Sequence, residues 1–306
     1  MRFGIDLGGT KIEVAALAPS GEIVLRERTP TPREDYGAVV VAIRDLIAGA
    51  ESKLGAQGTV GVAIPGTISP KTGLVKNANS TKLIGHPLDK DLSAALGRPV
   101  RLANDANCFA LSEASDGAAA GKSVVFGIIA GTGVGGGVVV DGKIITGAHA
   151  IGGEWGHNPL PGARAEEIPG PQCYCGSHGC IEAWCSGPAL EREFADATGH
   201  NLSAREIAAE SEAGGTVARQ IFDVWLDRFA RSIATLVNIL DPDAIVMGGG
   251  LSNIEAIYRE LPARVEHYAF TPEGEPLIVQ NRHGDSSGVR GAAWLWREGD
   301  PKGLPK

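Results

Sequence analysis

The pattern of apolar and polar positions divides the chain into two stretches that begin alike. An apolar run over Arg2–Leu7 passes through Gly8-Gly9-Thr10 into a second over Lys11–Leu17; Pro19-Ser20-Gly21 turns the chain, and 22–28 continues it. Short apolar runs bounded by glycine and proline read as strands. Over 36–54 the period changes, and Val39, Ile43, Leu46 and Ile47 share one face of a helix. Buried strands are predicted again at 60–64, stopped by Pro65-Gly66, and at 100–103, stopped by Asn104-Asp105; 107–120 then reads as helix. At Ser123 the pattern restarts, with strand 124–130, a glycine turn over 131–137, strand 138–140 and a tight hairpin at Asp141-Gly142.

Phe222, Leu226, Phe229, Ile233, Val237 and Leu240 fall on one face of a long helix that stops at Asp241-Pro242. Strand 244–247 leads to Gly248-Gly249-Gly250, and Ser252 or Asn253 is placed to cap a helix running through Ile257 toward Arg264. Two halves that each open strand, glycine turn, strand predict a duplicated α/β architecture with a cleft between lobes. The smaller lobe is expected over 1–120 and the larger over 121–288, with a helix at about 289–298 packing back on the first. Gly299, Pro301, Gly303 and Pro305 break regular structure in the tail.

Composition narrows the function. Of 306 residues, 43% are hydrophobic and 21% charged, as in an ordinary soluble enzyme. A net charge of -8 argues against nucleic acid as a partner, since such binding needs Lys and Arg to neutralise phosphates. No apolar run approaches a membrane span and no secretory leader opens the chain, so the expected location is the cytoplasm. Five cysteines are an odd number, and three crowd together at Cys173, Cys175 and Cys180, which reads as metal or redox chemistry. The 43 glycines cluster after apolar runs, where backbone approaches a ligand or turns sharply.

Gly131-Thr132-Gly133-Val134-Gly135-Gly136 matches the dinucleotide pattern G-x-G-x-x-G, but strand follows where that motif needs a helix, so the NAD reading fails. What remains is a hairpin whose backbone N–H groups suit phosphate oxygens, with Thr132 adding a hydroxyl. Gly8-Gly9-Thr10-Lys11 offers the same donors, with Asp6 placed to orient magnesium through water and Lys11 as a point charge. Gly249 and Gly250 leave room for a flat ring against the backbone. Asp105, at a strand end and helix start, reads either as a helix cap or as a general base for phosphoryl transfer. Glu154-Trp155-Gly156-His157 places a carboxylate and an imidazole in one loop, a pairing that suits a polyol. Cys173, Cys175 and Cys180 fit three corners of a zinc tetrahedron, with His157, His178 or Cys185 as the fourth ligand.

Together these residues resemble the ROK family (repressor, open reading frame, kinase). Its pattern D-x-G-G-T-K is met by Asp6 through Lys11, E-x-G-H by Glu154 through His157, and C-x-C-G-x-x-G-C-x-E by Cys173 through Glu182. The resemblance implies an actin-like (ribonuclease H-like) fold and an ATP-dependent hexose kinase. At 76–81, 102–108 and 283–290 the chain is most similar to bacterial fructokinases that also accept mannose, giving fructose 6-phosphate; N-acetylglucosamine kinases and glucokinases are the second reading. It implies Asp105 as base, with Gly66, Asn79, Asn104, Glu154, His157 and Glu182 at the sugar. ATP falls to Asp6, Gly8, Gly9, Thr10, Lys11, Gly131, Thr132, Gly133, Gly249 and Gly250, and brings Mg2+. It also implies that His157 closes a structural Zn2+ site with Cys173, Cys175 and Cys180, and that the protein is a homodimer. Loss of the metal is expected to cost sugar binding far more than nucleotide binding. Repressors of the family carry a DNA-binding domain ahead of the first turn, and Asp6 leaves no room for one here. Residues 161–172 match no pattern of the family.

Overall fold

Two five-stranded sheets carry the fold, and their strands follow the same order. The computed structural model describes residues 1–300 apart from Glu34, Asn79, Pro272 and Glu298, with Asp285 described by its backbone alone. In the first sheet β1 (Arg2–Leu7), β2 (Lys11–Leu17) and β3 (Ile23–Pro30) form an antiparallel meander. β4 (Thr59–Ile64) and β5 (Val100–Asn104) join in parallel beyond β1, giving β3-β2-β1-β4-β5. In the second, β6 (Val124–Ala130), β7 (Val134–Val140) and β8 (Lys143–Ile144) form the meander. β9 (Ala244–Gly248) and β10 (Ile278–Gln280) add in parallel, giving β8-β7-β6-β9-β10. The duplication read from the strand-turn-strand openings therefore extends to whole sheets.

Helices α1 (Tyr36–Leu54), α2 (Leu88–Leu96) and α3 (Asp105–Ser115) belong to the first half of the chain. α4 (Ile181–Cys185), α5 (Gly187–Thr198), α6 (Ala204–Glu212), α7 (Thr216–Leu240) and α8 (Glu255–Tyr268) belong to the second, and α9 (Ser287–Trp294) comes last. α1 forms where its period predicts: Asp35 caps its start by accepting the Ala38 N–H at 2.7 Å, and Gly55 ends it in a left-handed turn. It buries Val39, Ile43 and Ile47 on the first sheet, each contributing about 1.5–3 kcal/mol. α7 lines the second half's core, where Phe222, Trp225 and Phe229 meet Phe126 and Trp155.

Three expectations change. The turn expected over 131–137 shrinks, because Gly135, Gly136 and Gly137 pair with Ile129, Ile128 and Gly127 inside the β6–β7 ladder. The helix expected over 107–120 starts at Asp105 and ends at Ser115. Neither Ser252 nor Asn253 caps α8; both lie in a 3₁₀ turn, Ile254 holds the cap position, and the Ser252 hydroxyl donates to the Gly249 carbonyl at 2.7 Å. α9 lies against β1, β4 and α3 at backbone distance: a Cβ at Gly4 would stand 1.9 Å from the Val289 carbonyl oxygen, and one at Gly61 1.8 Å from that of Ala292. Among the described residues, no helix is long and apolar enough to cross a membrane.

Candidate active site

β5 delivers Asn104 and Asp105 to the C-terminal edge of the first sheet. Asn104 has extended backbone, and its side-chain oxygen accepts the Ala106 N–H at 2.9 Å, so it, and not Asp105, is the cap residue of α3. Asp105 Oδ1 shares that N–H at 2.8 Å, while the carboxyl opens to the cleft. The recess strips the carboxyl of hydration and raises its pKa; the N–H bonds and Asn104 oppose the rise without cancelling it. Asp6, at the same edge, is pushed up to about 6 by burial, then by the Asp105 and Glu13 charges, with Lys11 opposing. A recess of about 530 Å³ contains Asp6, Gly8, Gly9 and Asp105. It also brings in Arg33, Thr81 and Lys82, which sequence reading missed because no local pattern ties them to the first turn.

The first turn is held from within. Gly8 N–H donates to the Lys11 carbonyl at 3.0 Å, and Thr31 clamps it through Thr10 O (2.9 Å) and Gly8 O (2.7 Å), leaving Gly9 and Thr10 exposed at the tip. In the second half, Gly131 N–H donates to the Gly133 carbonyl at 2.9 Å, closing the turn around Thr132. The third turn lies beside it: Gly131 would place a Cβ 3.3 Å from Gly250 N. Gly249 has φ +79°, and a side chain there would meet the Ala130 carbonyl at 2.4 Å. Gly131, Thr132, Gly133, Gly249 and Gly250, separated in sequence, thus form one wall.

The residues assigned to the sugar converge from both halves. Asn104 Nδ2 donates to the Gly66 carbonyl at 3.3 Å; Asn79 lies outside the described residues. The loop holding Glu154 and His157 lies flat on β7, where a Cβ at Gly156 would stand 1.9 Å from the Val134 carbonyl oxygen. Burial raises the pKa of Glu154, with Asp105 and Glu182 reinforcing the rise and His157 and Lys76 opposing it, so all five groups lie within electrostatic reach. Lys76, unassigned from sequence, donates to the His149 carbonyl at 2.7 Å and so ties the two halves together at the cleft.

The cysteine loop resolves the choice of fourth group. His157, Cys173, Cys175 and Cys180 bring their ligand atoms within 4.8 Å of one another. Cys175 Sγ and Cys180 Sγ are 3.6 Å apart, as are Cys173 Sγ and His157 Nδ1. Zinc–sulfur and zinc–nitrogen bonds of about 2.3 and 2.0 Å at tetrahedral angles call for edges of roughly 3.8 and 3.6 Å, so the donor set fits that ion. Burial pushes the thiols of Cys173 and Cys180 up, the latter to about 12, while the Ser177 backbone N–H brings Cys175 down to about 7, so holding all three as thiolates takes a cation. His178 is exposed, Cys185 is buried, and neither joins the cluster. His157 Nε2 meets the Tyr174 hydroxyl at 3.0 Å, and Tyr174 is 80% exposed at the cluster's rim. Glu182 stands between this cluster and the second glycine turn, accepting the Val134 N–H at 2.9 Å.

Two matching sheets, a carboxylate at the edge of one and glycine turns on both define a two-lobed phosphotransferase architecture, and known proteins share it along the whole chain. The ROK family profile matches residues 2–299, and the chain belongs to that family. It is 43% identical over 299 residues to an N-acetyl-D-glucosamine kinase of Yersinia pseudotuberculosis serotype O:1b (strain IP 31758), covering 96% of this chain and 98% of the relative. The crystal structure of a ROK hexokinase from Thermus thermophilus superposes with TM-score 0.83 at 33% identity, covering 96% of each chain. A ROK family glucokinase from Streptomyces griseus, in complex with glucose and AMPPNP, superposes with TM-score 0.75 at 29% identity, covering 97% of this chain and 99% of that one.

Proposed function

We propose that this protein, a sugar kinase of the ROK family, transfers the terminal phosphoryl group of MgATP to a hydroxyl of N-acetylglucosamine. The observation that carries the reading is Asp105, whose carboxyl opens to the cleft beside Asp6 and within electrostatic reach of Glu154. There it accepts the proton of the attacking hydroxyl as the phosphoryl group arrives. Glu154, Asn104 and Glu182 hold the other hydroxyls, beside His157, whose Nε2 meets the Tyr174 hydroxyl and must exchange it to reach the sugar. The tips of the first two turns, with Thr10, Lys11 and Thr132, hold the phosphates, and Gly249-Gly250 borders the base. Magnesium arrives with ATP as part of the substrate, its charge easing the two raised carboxyls, Asp6 and Asp105. His157, Cys173, Cys175 and Cys180 would hold a structural zinc ion, which would offset two of the three thiolate charges and fix the imidazole ring. Residues 1–120 with α9 and residues 121–288 act as the lobes that close on the substrates.

The relatives favour N-acetylglucosamine over the fructose expectation: the Yersinia enzyme that shares 43% of its residues with this chain carries that name. Specificity constants for N-acetylglucosamine, fructose, mannose and glucose at saturating MgATP test the choice. N-acetylglucosamine should exceed the others by at least about tenfold, or about 1.4 kcal/mol of transition-state discrimination. A tenfold preference for fructose reverses the assignment, and no turnover with any of the four removes the kinase reading.

A further inference from the structure

Cys180 belongs to the metal cluster and is also the cap residue of α4, and the chain it starts grips the second glycine turn on both flanks. Glu182 Oε2 accepts the Val134 N–H at 2.9 Å on one side. Gly187 N–H, opening α5, donates to the Gly131 carbonyl at 2.8 Å on the other. Glu182 Oε1 lies 3.9 Å from Cys173 Sγ, a contact that needs the thiol proton and lapses once the thiolate holds a metal, so the tie from cluster to turn runs through Cys180 and the backbone of α4. The fit leaves no slack, since a Cβ at Gly133 would stand 2.5 Å from Glu182 Oε2.

We propose that Glu182 is a positioning residue for the nucleotide, through which the metal cluster sets the shape of Gly131-Thr132-Gly133. The inference rests on reading that turn as a phosphate site. A turn of two glycines has wide backbone freedom when untethered, and anchors on both flanks order it before its ligand arrives. α4 spans five residues, too short to hold its own conformation, so it depends on what fixes its ends. The cluster fixes the first end through Cys180. When the cluster opens, Glu182 and Gly187 lose their register against the turn, and nucleotide binding falls together with sugar binding. This departs from the expectation that metal loss costs sugar binding far more than nucleotide binding.

The test titrates the metal-loaded full chain with magnesium AMPPNP by calorimetry, with zinc content measured on each sample. Glu182→Ala should weaken AMPPNP about tenfold, the scale of one lost hydrogen bond to a charged group, while zinc content holds. Glu182→Gln, whose amide oxygen still accepts the Val134 N–H, should recover to within about threefold of wild type. Stripping zinc from the wild type should weaken AMPPNP by a factor similar to Glu182→Ala, and stripping it from that variant should add little. If Glu182→Ala loses its metal, amide exchange at Val134 in the wild type decides: faster exchange without zinc supports the coupling, and unchanged exchange overturns it. Unchanged AMPPNP affinity in metal-loaded Glu182→Ala, with sugar affinity alone reduced, overturns it too. A wild type that binds no AMPPNP refutes instead the nucleotide reading on which it rests.

Discussion

Two carboxylates at the edge of the first sheet carry opposite kinds of information. Asp105 is placed by its neighbour's capping: Asn104 takes the helix start, which leaves the Asp105 carboxyl one free oxygen facing the cleft. Asp105→Asn keeps the shape and the bond to Ala106, yet has no site to receive the hydroxyl proton. Turnover should fall about 100- to 10,000-fold with sugar affinity within a few-fold, as steady-state kinetics and calorimetry would read; near-normal turnover refutes the base assignment. Asp6 bears on stability. Its folded pKa of about 6 exceeds the roughly 3.9 of an unfolded aspartate. A raised folded value means that the bound proton stabilises the fold fully below pH ~4 and that this contribution is lost as pH rises through 6. Asp6→Asn, neutral throughout, should therefore match the wild type in thermal melts at pH 4 and melt higher at pH 8. A melting difference that is the same at both pH values counts against the burial argument.

At the scale of elements, residues 161–172, which fit no family pattern, are lashed to α7. Glu167 is buried and accepts Arg228 Nε at 2.8 Å, Arg231 Nη2 at 2.8 and 3.0 Å, and the Arg164 N–H at 2.8 Å. Burial alone would raise its pKa, but the Arg231, Arg164 and Arg228 hydrogen bonds outweigh that and hold it at about 2. A depressed folded value gives stability that is present above the unfolded pKa and lost as pH falls toward 2. Glu167→Gln leaves Arg228 and Arg231 with only their other carboxylate partners, Glu193 and Asp227, and should cost about 2 kcal/mol in urea denaturation at pH 7. The gap should narrow below pH 3; a cost under about 1 kcal/mol at neutral pH would mean that the network does not hold this segment.

The whole molecule repeats one sheet order and sets its chemistry where the two copies face each other. At that cleft Lys76, from the two-residue strand Val75–Lys76 of the first half, donates to the His149 carbonyl of the second. The bond joins the two halves beside the proposed sugar site and touches neither Asp105 nor the glycine turns. Lys76→Met should raise the sugar KM about 3- to 10-fold, consistent with loss of one charge-assisted hydrogen bond, while kcat stays within about twofold. A fall in kcat at unchanged KM would place Lys76 in the chemical step instead.

The sequence by itself determined whatever is encoded over a few consecutive residues. Strand and helix periods, the glycine turns, Asn104-Asp105, the Glu154–His157 loop and the three clustered thiols are local, because backbone conformation and side-chain direction repeat over two to four residues. Tertiary structure decided which distant backbone groups each side chain meets. His157 instead of His178 or Cys185 completes the cluster, as the family resemblance implied and the residues alone left open, though 16 residues separate it from Cys173. Glu182 finds its N–H 48 residues away, and Lys76 its carbonyl 73 residues away. α9, at the far end of the chain, lies against β1 because Gly4 lets backbone meet backbone there, and against α3 because Gly291 does the same. No window of sequence contains these pairings: they arise when topology brings unsatisfied polar groups and flat, side-chain-free surfaces together, and only the folded chain brings them there.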